Sequence, residues 1–372
     1  MDRLKFACPC HFGLESVLNF EIKKIGGEDI SVSDGKVTFY GDFNTLARAN
    51  ISLATAERVL IVLAEFHAES FEDLFQGVKK IPFENFIGKS DAFPVKSGHA
   101  LNSTLHSVPD CQSIIKKAAV ERLKEKYRVS WFEETGAIFP IQFSIIKDEV
   151  IIYLDTTGTG LHKRGYRKNS NDAPIKETLA AGIVDLARVK GDSVVCDPFC
   201  GSGTLLIESA YKALSLAPGL KRKFIAEKWG CINSSIWKEE RNSAIELVRH
   251  DTAFKAFGSD IDSDAVQLTA DNAAKAGVSK RISSSKADIK NFKNQKGTIT
   301  ICNPPYGERL LDVKEAEKLY KIMGQVFEGS KDAPCYIISP HEEFEKFFGR
   351  KADKRRKLYN GMLKCQLFMY YK

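Results

Sequence analysis

The residues Asn303-Pro304-Pro305-Tyr306 follow an apolar run, Thr298-Ile299-Thr300-Ile301-Cys302. Two prolines fix the backbone and remove two donors. What remains is a cluster of acceptors: the Asn303 side-chain oxygen and the Pro304 carbonyl. Such a cluster suits an exocyclic NH₂ group. That amine is a poor nucleophile, because its lone pair is delocalised into the ring. Two acceptors can bind its two hydrogens and favour a pyramidal nitrogen, whose lone pair then faces an electrophilic methyl held for in-line attack. No strong base is required, since the amine proton becomes acidic only after methyl transfer. Tyr306 can stack on the planar ring. The plain alternative is a strand-ending turn with a core tyrosine.

A second stretch, Val194-Val195-Cys196-Asp197-Pro198-Phe199-Cys200-Gly201-Ser202-Gly203-Thr204, reads as an apolar strand, a tight turn and a helix start. A glycine-rich turn at a strand's carboxyl end lets the backbone approach a ligand. The third glycine of a dinucleotide fingerprint is replaced by Leu206, and no Gly-Lys-Ser/Thr is present, so a ligand without phosphates fits better. Asp260 ends the next strand, where a carboxylate can grip ribose hydroxyls, and Asp288 follows the third, where it could accept from an adenine amino group. Helix capping is the plain alternative for such acids, and is preferred for Asp262. The glycine turn and two acids at successive strand ends point to S-adenosylmethionine.

The elements that must position these residues are legible as alternating β and α patterns beyond residue 172. Strands are expected at 193–197, 256–260, 282–287, 298–303, 334–339 and 364–370, and helices at 176–189, 204–214, 263–276 and 314–327. That alternation implies a doubly wound parallel sheet, an α/β Rossmann-like domain over 173–372. The long gap between Thr204 and Ala256 holds Ala217-Pro218-Gly219-Leu220 and a Trp229 to Trp237 stretch, read as an insertion near the pocket. Residues 1–64 read as one small α/β unit and 65–157 as another, ending in a hairpin turned at Lys147-Asp148. The Gly/Thr-rich and basic stretch 158–172 reads as the junction.

At 372 residues more than one hydrophobic core is expected, and no apolar run reaches the ~20 residues of a membrane span. The N-terminus lacks a signal-peptide core, and nine cysteines without zinc spacing fit reduced cytosolic thiols. A cytoplasmic protein without a metal is expected. Cys200 and Cys302 read as small buried hydrophobes. The net charge is +7, and it is uneven: 20 basic residues meet 22 acidic ones over 1–165, but 35 meet 26 over 166–372. Much of the excess lies in His162 to Lys168, Lys221-Arg222-Lys223 and Arg350 to Lys357. Basic residues interleaved with aromatics suit nucleic acid, though solvated surface is as good a reading for any one of them.

These motifs carry a family resemblance. Asp197-Pro-Phe-Cys-Gly-Ser-Gly-Thr204 with Asn303-Pro-Pro-Tyr306 resembles class I S-adenosylmethionine-dependent amino methyltransferases. Thr157-Gly-Thr-Gly-Leu-His-Lys-Arg-Gly-Tyr-Arg167, Ala173-Pro-Ile-Lys-Glu-Thr-Leu-Ala-Ala181 and Ala217-Pro-Gly219 resemble THUMP-domain RNA methyltransferases, nearest to the bacterial 23S rRNA guanine-N2 family. The first half resembles that family's ferredoxin-like unit followed by a THUMP domain around Cys111-Gln-Ser-Ile-Ile-Lys-Lys117.

The resemblance implies that Asp197, Phe199, Gly201, Gly203 and Thr204 line the methionine side of the cofactor. It puts Asp260 and Ile261 at the ribose, Asp288 and Ile289 at the adenine, and Lys176, Glu177 and Thr178 in a segment closing over it. Asn303 through Tyr306 would hold the base, and the THUMP unit would hold RNA. Read from the residues themselves, Lys79-Lys80 and Lys116-Lys117 could supply phosphate contacts, and Arg309 either another or a surface ion pair. Some family members carry a second methyltransferase domain at the C-terminus, whose activity is not expected here. An adenine-N6 or tRNA enzyme remains an alternative. DNA-adenine or protein-glutamine enzymes use other recognition modules, and a non-catalytic assembly factor would not be expected to keep intact Asn303, Asp197, Asp260 and Asp288.

Overall fold

In the first half the order is β1 (Leu4–Pro9), α1 (Glu15–Lys24), β2 (Glu28–Ser33), β3 (Lys36–Gly41), α2 (Phe43–Ser52), β4 (Leu60–His67), α3 (Phe71–Lys79), β5 (Val95–Leu101), α4 (Val108–Tyr127), β6 (Ile141–Ile146) and β7 (Glu149–Asp155). Apolar residues on β1, β3, β6 and β7 turn toward a helical layer and form the core. The computed structural model describes residues 3–167, 175–306, 312–327 and 332–371. The two expected N-terminal units share one seven-stranded sheet, β2-β3-β1-β4-β7-β6-β5. The joint is the antiparallel pair β4–β7, running from Leu60↔Asp155 to His67↔Glu149.

The second half continues with α5 (Glu177–Leu186), β8 (Val194–Asp197), α6 (Thr204–Leu214), α7 (Ser234–Glu246), β9 (Lys255–Asp260), α8 (Ser263–Ala276), β10 (Ile282–Lys286), β11 (Thr298–Cys302), α9 (Val313–Phe327), β12 (Cys335–Ser339), α10 (Phe344–Phe348), β13 (Lys354–Asn360) and β14 (Leu363–Tyr370). Its sheet has the order β10-β9-β8-β11-β12-β14-β13, parallel through β12 and antiparallel beyond. This is the expected doubly wound sheet. Strand order reverses between β8 and β11, and a crevice opens at the carboxyl ends there. Four elements have no counterpart in the sequence reading: β2, α7, α10 and β13. β2 and β13 are edge strands with charged, mostly exposed residues, so the apolar alternation is missing. α7 lies in the long insertion.

The structure moves that insertion away from the crevice. Gly219 N–H donates to the Ile51 carbonyl at 2.8 Å, Trp229 Nε1 donates to the Ile138 carbonyl at 2.9 Å, and Trp229 stacks on Phe139 at 4.4 Å. Phe224, Trp229 and Trp237 thus belong to the core of the N-terminal half. Their apolar area finds a partner there, whereas the crevice is lined by several carboxylates. In return, Leu14 and Val17 of α1 pack into the core of the second half. A Cβ on Gly182 of α5 would sit 2.2 Å from Leu14 Cδ1, so only glycine permits this approach.

The basic junction is buried in the same seam. Arg164 Nε lies 3.4 Å from Glu208 Oε1, and Tyr166 donates its hydroxyl to the same oxygen at 3.0 Å. Arg167 pairs with Glu177 at 2.7 Å. Only Lys163 of the described junction cations faces solvent; Lys168 lies outside the described residues. Two of the four lysines expected as phosphate contacts are engaged, while Lys80 and Lys117 are exposed. Lys79 pairs with Glu125 at 2.7 Å, and Lys116 pairs with Glu134 while lying 3.6 Å over the Phe93 ring. No helix is long and apolar enough to cross a membrane among the described residues.

Candidate active site

The crevice is a cavity of about 910 Å³ at the carboxyl ends of β8, β9, β10 and β11. Its floor is the glycine turn. Gly201 adopts φ +51°, and its N–H donates to Asp260 Oδ2 at 3.0 Å. The Cys200 N–H donates to the Ser259 carbonyl at 2.9 Å, which ties the turn to β9. α8 holds the turn from behind: Thr269 Oγ1 donates to the Gly201 carbonyl at 2.9 Å and Asn272 Nδ2 to the Ser202 carbonyl at 2.9 Å. Neither residue was apparent from the sequence, because both sit mid-helix with no motif around them.

Five carboxylates line the cavity: Asp197, Asp260, Asp262, Asp288 and Glu315. Asp197 is 2% exposed and accepts from the Phe199 N–H at 3.0 Å. Burial pushes its carboxyl from the ordinary 3.8 up to about 8, against the pull of that N–H, and the Asp260 charge adds to the rise. Asp260 Oδ1 accepts from the Asp262 N–H at 3.0 Å, and Asp262 caps α8 by accepting from the Asp264 N–H, as its position suggested. Asp288 accepts from the Lys290 N–H at 2.9 Å through one oxygen. Ile261 and Ile289 give the cavity an apolar side. Burial first, and the Asp197 charge second, push the Cys200 thiol up to about 12, so it stays protonated.

Of the residues singled out by sequence, Asp197, Phe199, Gly201, Thr204, Asp260, Ile261, Asp288, Ile289 and the whole Asn303–Tyr306 turn line this one cavity. Four do not. Gly203 (φ +77°) faces α8, where a Cβ would come within 2.9 Å of Thr269 Cγ2; it is a close-packing glycine. Lys176, Glu177 and Thr178 point into the seam between the halves, and of their segment only Ile175 reaches the cavity. Lys176 Nζ lies 3.3 Å from Glu57 Oε2, and Thr178 donates to Glu57. Burial alone would raise the Glu57 carboxyl, but bonds from His11, His162 and Thr178 hold it far below the ordinary range. Arg167 joins this support to the site, donating to the Ile175 carbonyl at 3.1 Å. Arg309 lies outside the described residues.

On the far wall, the Asn303 side-chain oxygen is buried and accepts no hydrogen bond from any described residue. A buried acceptor in that state costs free energy until a donor arrives. The Tyr306 ring is largely buried, and its hydroxyl accepts from Asn360 Nδ2 at 3.2 Å. The opposite rim is α9, through Glu315, Lys318, Leu319 and Ile322. These stand at i, i+3, i+4 and i+7, a helical stripe that could have been read from the sequence.

The chain matches three family models in succession: a ferredoxin-like domain of the RlmL type over residues 5–60, a THUMP domain over 68–155, and an "RMKL-like, methyltransferase domain" over 164–368. It is 43% identical over 374 residues to the "Putative RNA methyltransferase YpsC" of Bacillus subtilis, covering all of this chain and 97% of that protein. It is 32% identical to the ribosomal RNA large subunit methyltransferase K/L of Psychromonas ingrahamii, covering 99% of this chain but 50% of that longer protein. Among solved structures, SMU.472, a methyltransferase complexed with S-adenosylhomocysteine (SAH), superposes with TM-score 0.94 at 38% identity, covering all of this chain and 98% of that one. A Listeria monocytogenes protein described as a predicted N6-adenine-specific DNA methylase gives 0.93 at 39%, covering 99% and 96%. The cavity fits such a cofactor: a glycine floor, carboxylates for cationic and hydroxyl groups, and an apolar slot for a base. S-adenosylmethionine is therefore the cofactor, and the chain belongs to the RMKL-like methyltransferase family, with ferredoxin-like and THUMP units preceding the catalytic sheet.

Proposed function

We propose that this protein methylates the exocyclic amine of an RNA base, with guanine N2 in 23S rRNA as the target. The observation that carries the proposal is the buried, unfilled acceptor on Asn303 facing the cofactor cavity. S-adenosylmethionine, when bound, supplies the electrophilic methyl. Asn303 Oδ1 and the Pro304 carbonyl accept the two amine hydrogens and turn the nitrogen lone pair toward the cavity. Pro305 keeps the turn rigid, and Tyr306, held by Asn360, stacks on the base. A paired amine could not reach these groups, so the base leaves its stack first.

Phe199 and Gly201 are assigned to the methionine portion, Asp260 to the ribose and Asp288 with Ile261 and Ile289 to the adenine. Asp197 meets the cofactor's positive charge. Lys176, Glu177 and Thr178 are assigned a supporting role through Ile175. The THUMP match and the names of the two RNA-modifying relatives support an RNA substrate. An rRNA substrate would put the protein in the cytoplasm. A second reading, adenine N6, is favoured by the adenine specificity ascribed to the Listeria protein and by the identical NH₂ group that both bases present.

The test is methyl transfer from labelled S-adenosylmethionine to unmodified rRNA, followed by mass spectrometry of the nucleosides. N2-methylguanosine is expected; N6-methyladenosine would select the second reading. Asn303→Ala should lose transfer while binding the cofactor with unchanged affinity by calorimetry. Wild-type turnover in that variant would refute the assignment.

A further inference from the structure

The β13–β14 hairpin lies at the same end of the sheet as the active site. β14 runs antiparallel to β12, with Ser339↔Gln366 and Cys335↔Tyr370 opposite each other. The Leu363 end of β14 therefore lies at the carboxyl end of β12, the end where Asp197 and Asn303 stand on their strands. The hydrogen bond from Asn360 to the Tyr306 hydroxyl ties the hairpin to the base-holding turn.

Beyond that tie, the hairpin exposes groups that its own stability does not require. Met362, next to Gly361 (φ +66°) at the tip, is 99% exposed. Phe12, from the loop after β1, is 40% exposed and meets Tyr359 edge-on at 5.9 Å. Lys357 Nζ lies 5.4 Å from the Tyr359 ring centre and 5.6 Å from that of Phe12. An exposed Phe12 and a half-buried Tyr359 beside a cation suit unpaired bases and their phosphates, because every base has a π-face. A solvated methionine at a hairpin tip suits insertion into a gap between bases.

We propose that this hairpin edge, with Phe12, holds the unpaired strand flanking the target nucleotide. Phe12 and Tyr359 stack on bases, Lys357 meets phosphate, and Met362 fills the space the target base leaves. The inference rests on the RNA reading above and adds a binding surface to it.

The test measures anisotropy of a labelled 12-nucleotide oligoadenylate and of the same length of duplex RNA. The full-length protein should prefer the single strand. Phe12→Ala with Tyr359→Ala should weaken single-strand binding about thirtyfold or more, the size of two lost base stacks, with SAH affinity unchanged. Met362→Ser cannot unfold the protein, since Met362 touches solvent alone. It should slow methyl transfer to folded rRNA at least fivefold with the KM for S-adenosylmethionine unchanged. Wild-type oligoadenylate affinity in the double variant, equal affinity for duplex, or unaltered transfer by Met362→Ser would overturn the proposal. If the wild type binds the single strand and the double variant does not, but no RNA is methylated, the surface stands and the RNA-methylation reading fails.

Discussion

Asp197 holds its charge at a cost. Folded, its carboxyl titrates near 8; unfolded, near 3.8. Between those values the folded chain keeps a proton that the unfolded chain has released. Stability from this group is therefore present at low pH and lost as pH rises through the window. Asp197→Asn removes the loss. At pH 8 the variant should melt at a higher temperature than wild type, and the gap should narrow steadily as pH falls and close only near pH 4, where the unfolded carboxyl also takes up its proton. The same substitution should weaken the cofactor, whose positive charge needs the ionised form. In the wild type, cofactor affinity should rise with pH and level off above about 8, with proton release measurable by calorimetry in buffers of different ionisation heat. Flat affinity from pH 6 to 9 would contradict this. The acid itself was visible in the sequence. Its raised pKa was not, because it comes from burial and from a second acid 63 positions away in the chain, Asp260.

At the scale of elements, legibility followed patterning. The central strands β8, β9 and β11 read clearly because their carboxyl ends carry motifs, and β11 is buried along nearly its whole length. Residues 354–360 did not, because Lys-Arg-Arg-Lys looks like a solvated run and gives no alternation. Yet that run is the strand that supplies Asn360 to the active-site turn. The insertion around Trp229 and α7 was recognised as extra chain, but its partner was not predictable. The stack on Phe139 joins positions 90 residues apart, and no local pattern encodes it. Trp229→Ala should cost about 3–5 kcal/mol, as for other fully buried tryptophans. Because the ring lies between the two halves and away from the cavity, the loss should shift one unfolding transition without splitting it. Cofactor affinity at low temperature should stay at the wild-type value. Two separated transitions in calorimetry would show that the halves unfold independently.

Across the whole molecule, the charge asymmetry takes on a different meaning. The junction cations that seemed free for RNA are engaged by Glu208, Glu177 and the seam. One aromatic-cation surface lies on the hairpin edge, where Lys357 stands beside Phe12 and Tyr359. Leu14 and Val17 reach into one core, and Trp229 and Trp237 reach back into the other. The two halves are thus interlocked and do not hang from a hinge. Interlocking turns target choice into a matter of length. A recognition unit on a flexible arm could scan neighbouring nucleotides; one locked to the catalytic sheet works as a caliper with a fixed gap. Inserting one base pair between the RNA segment held by the N-terminal half and the target should abolish methylation in a steady-state assay, without weakening binding. Methylation that moves one nucleotide along would show that the gap can open.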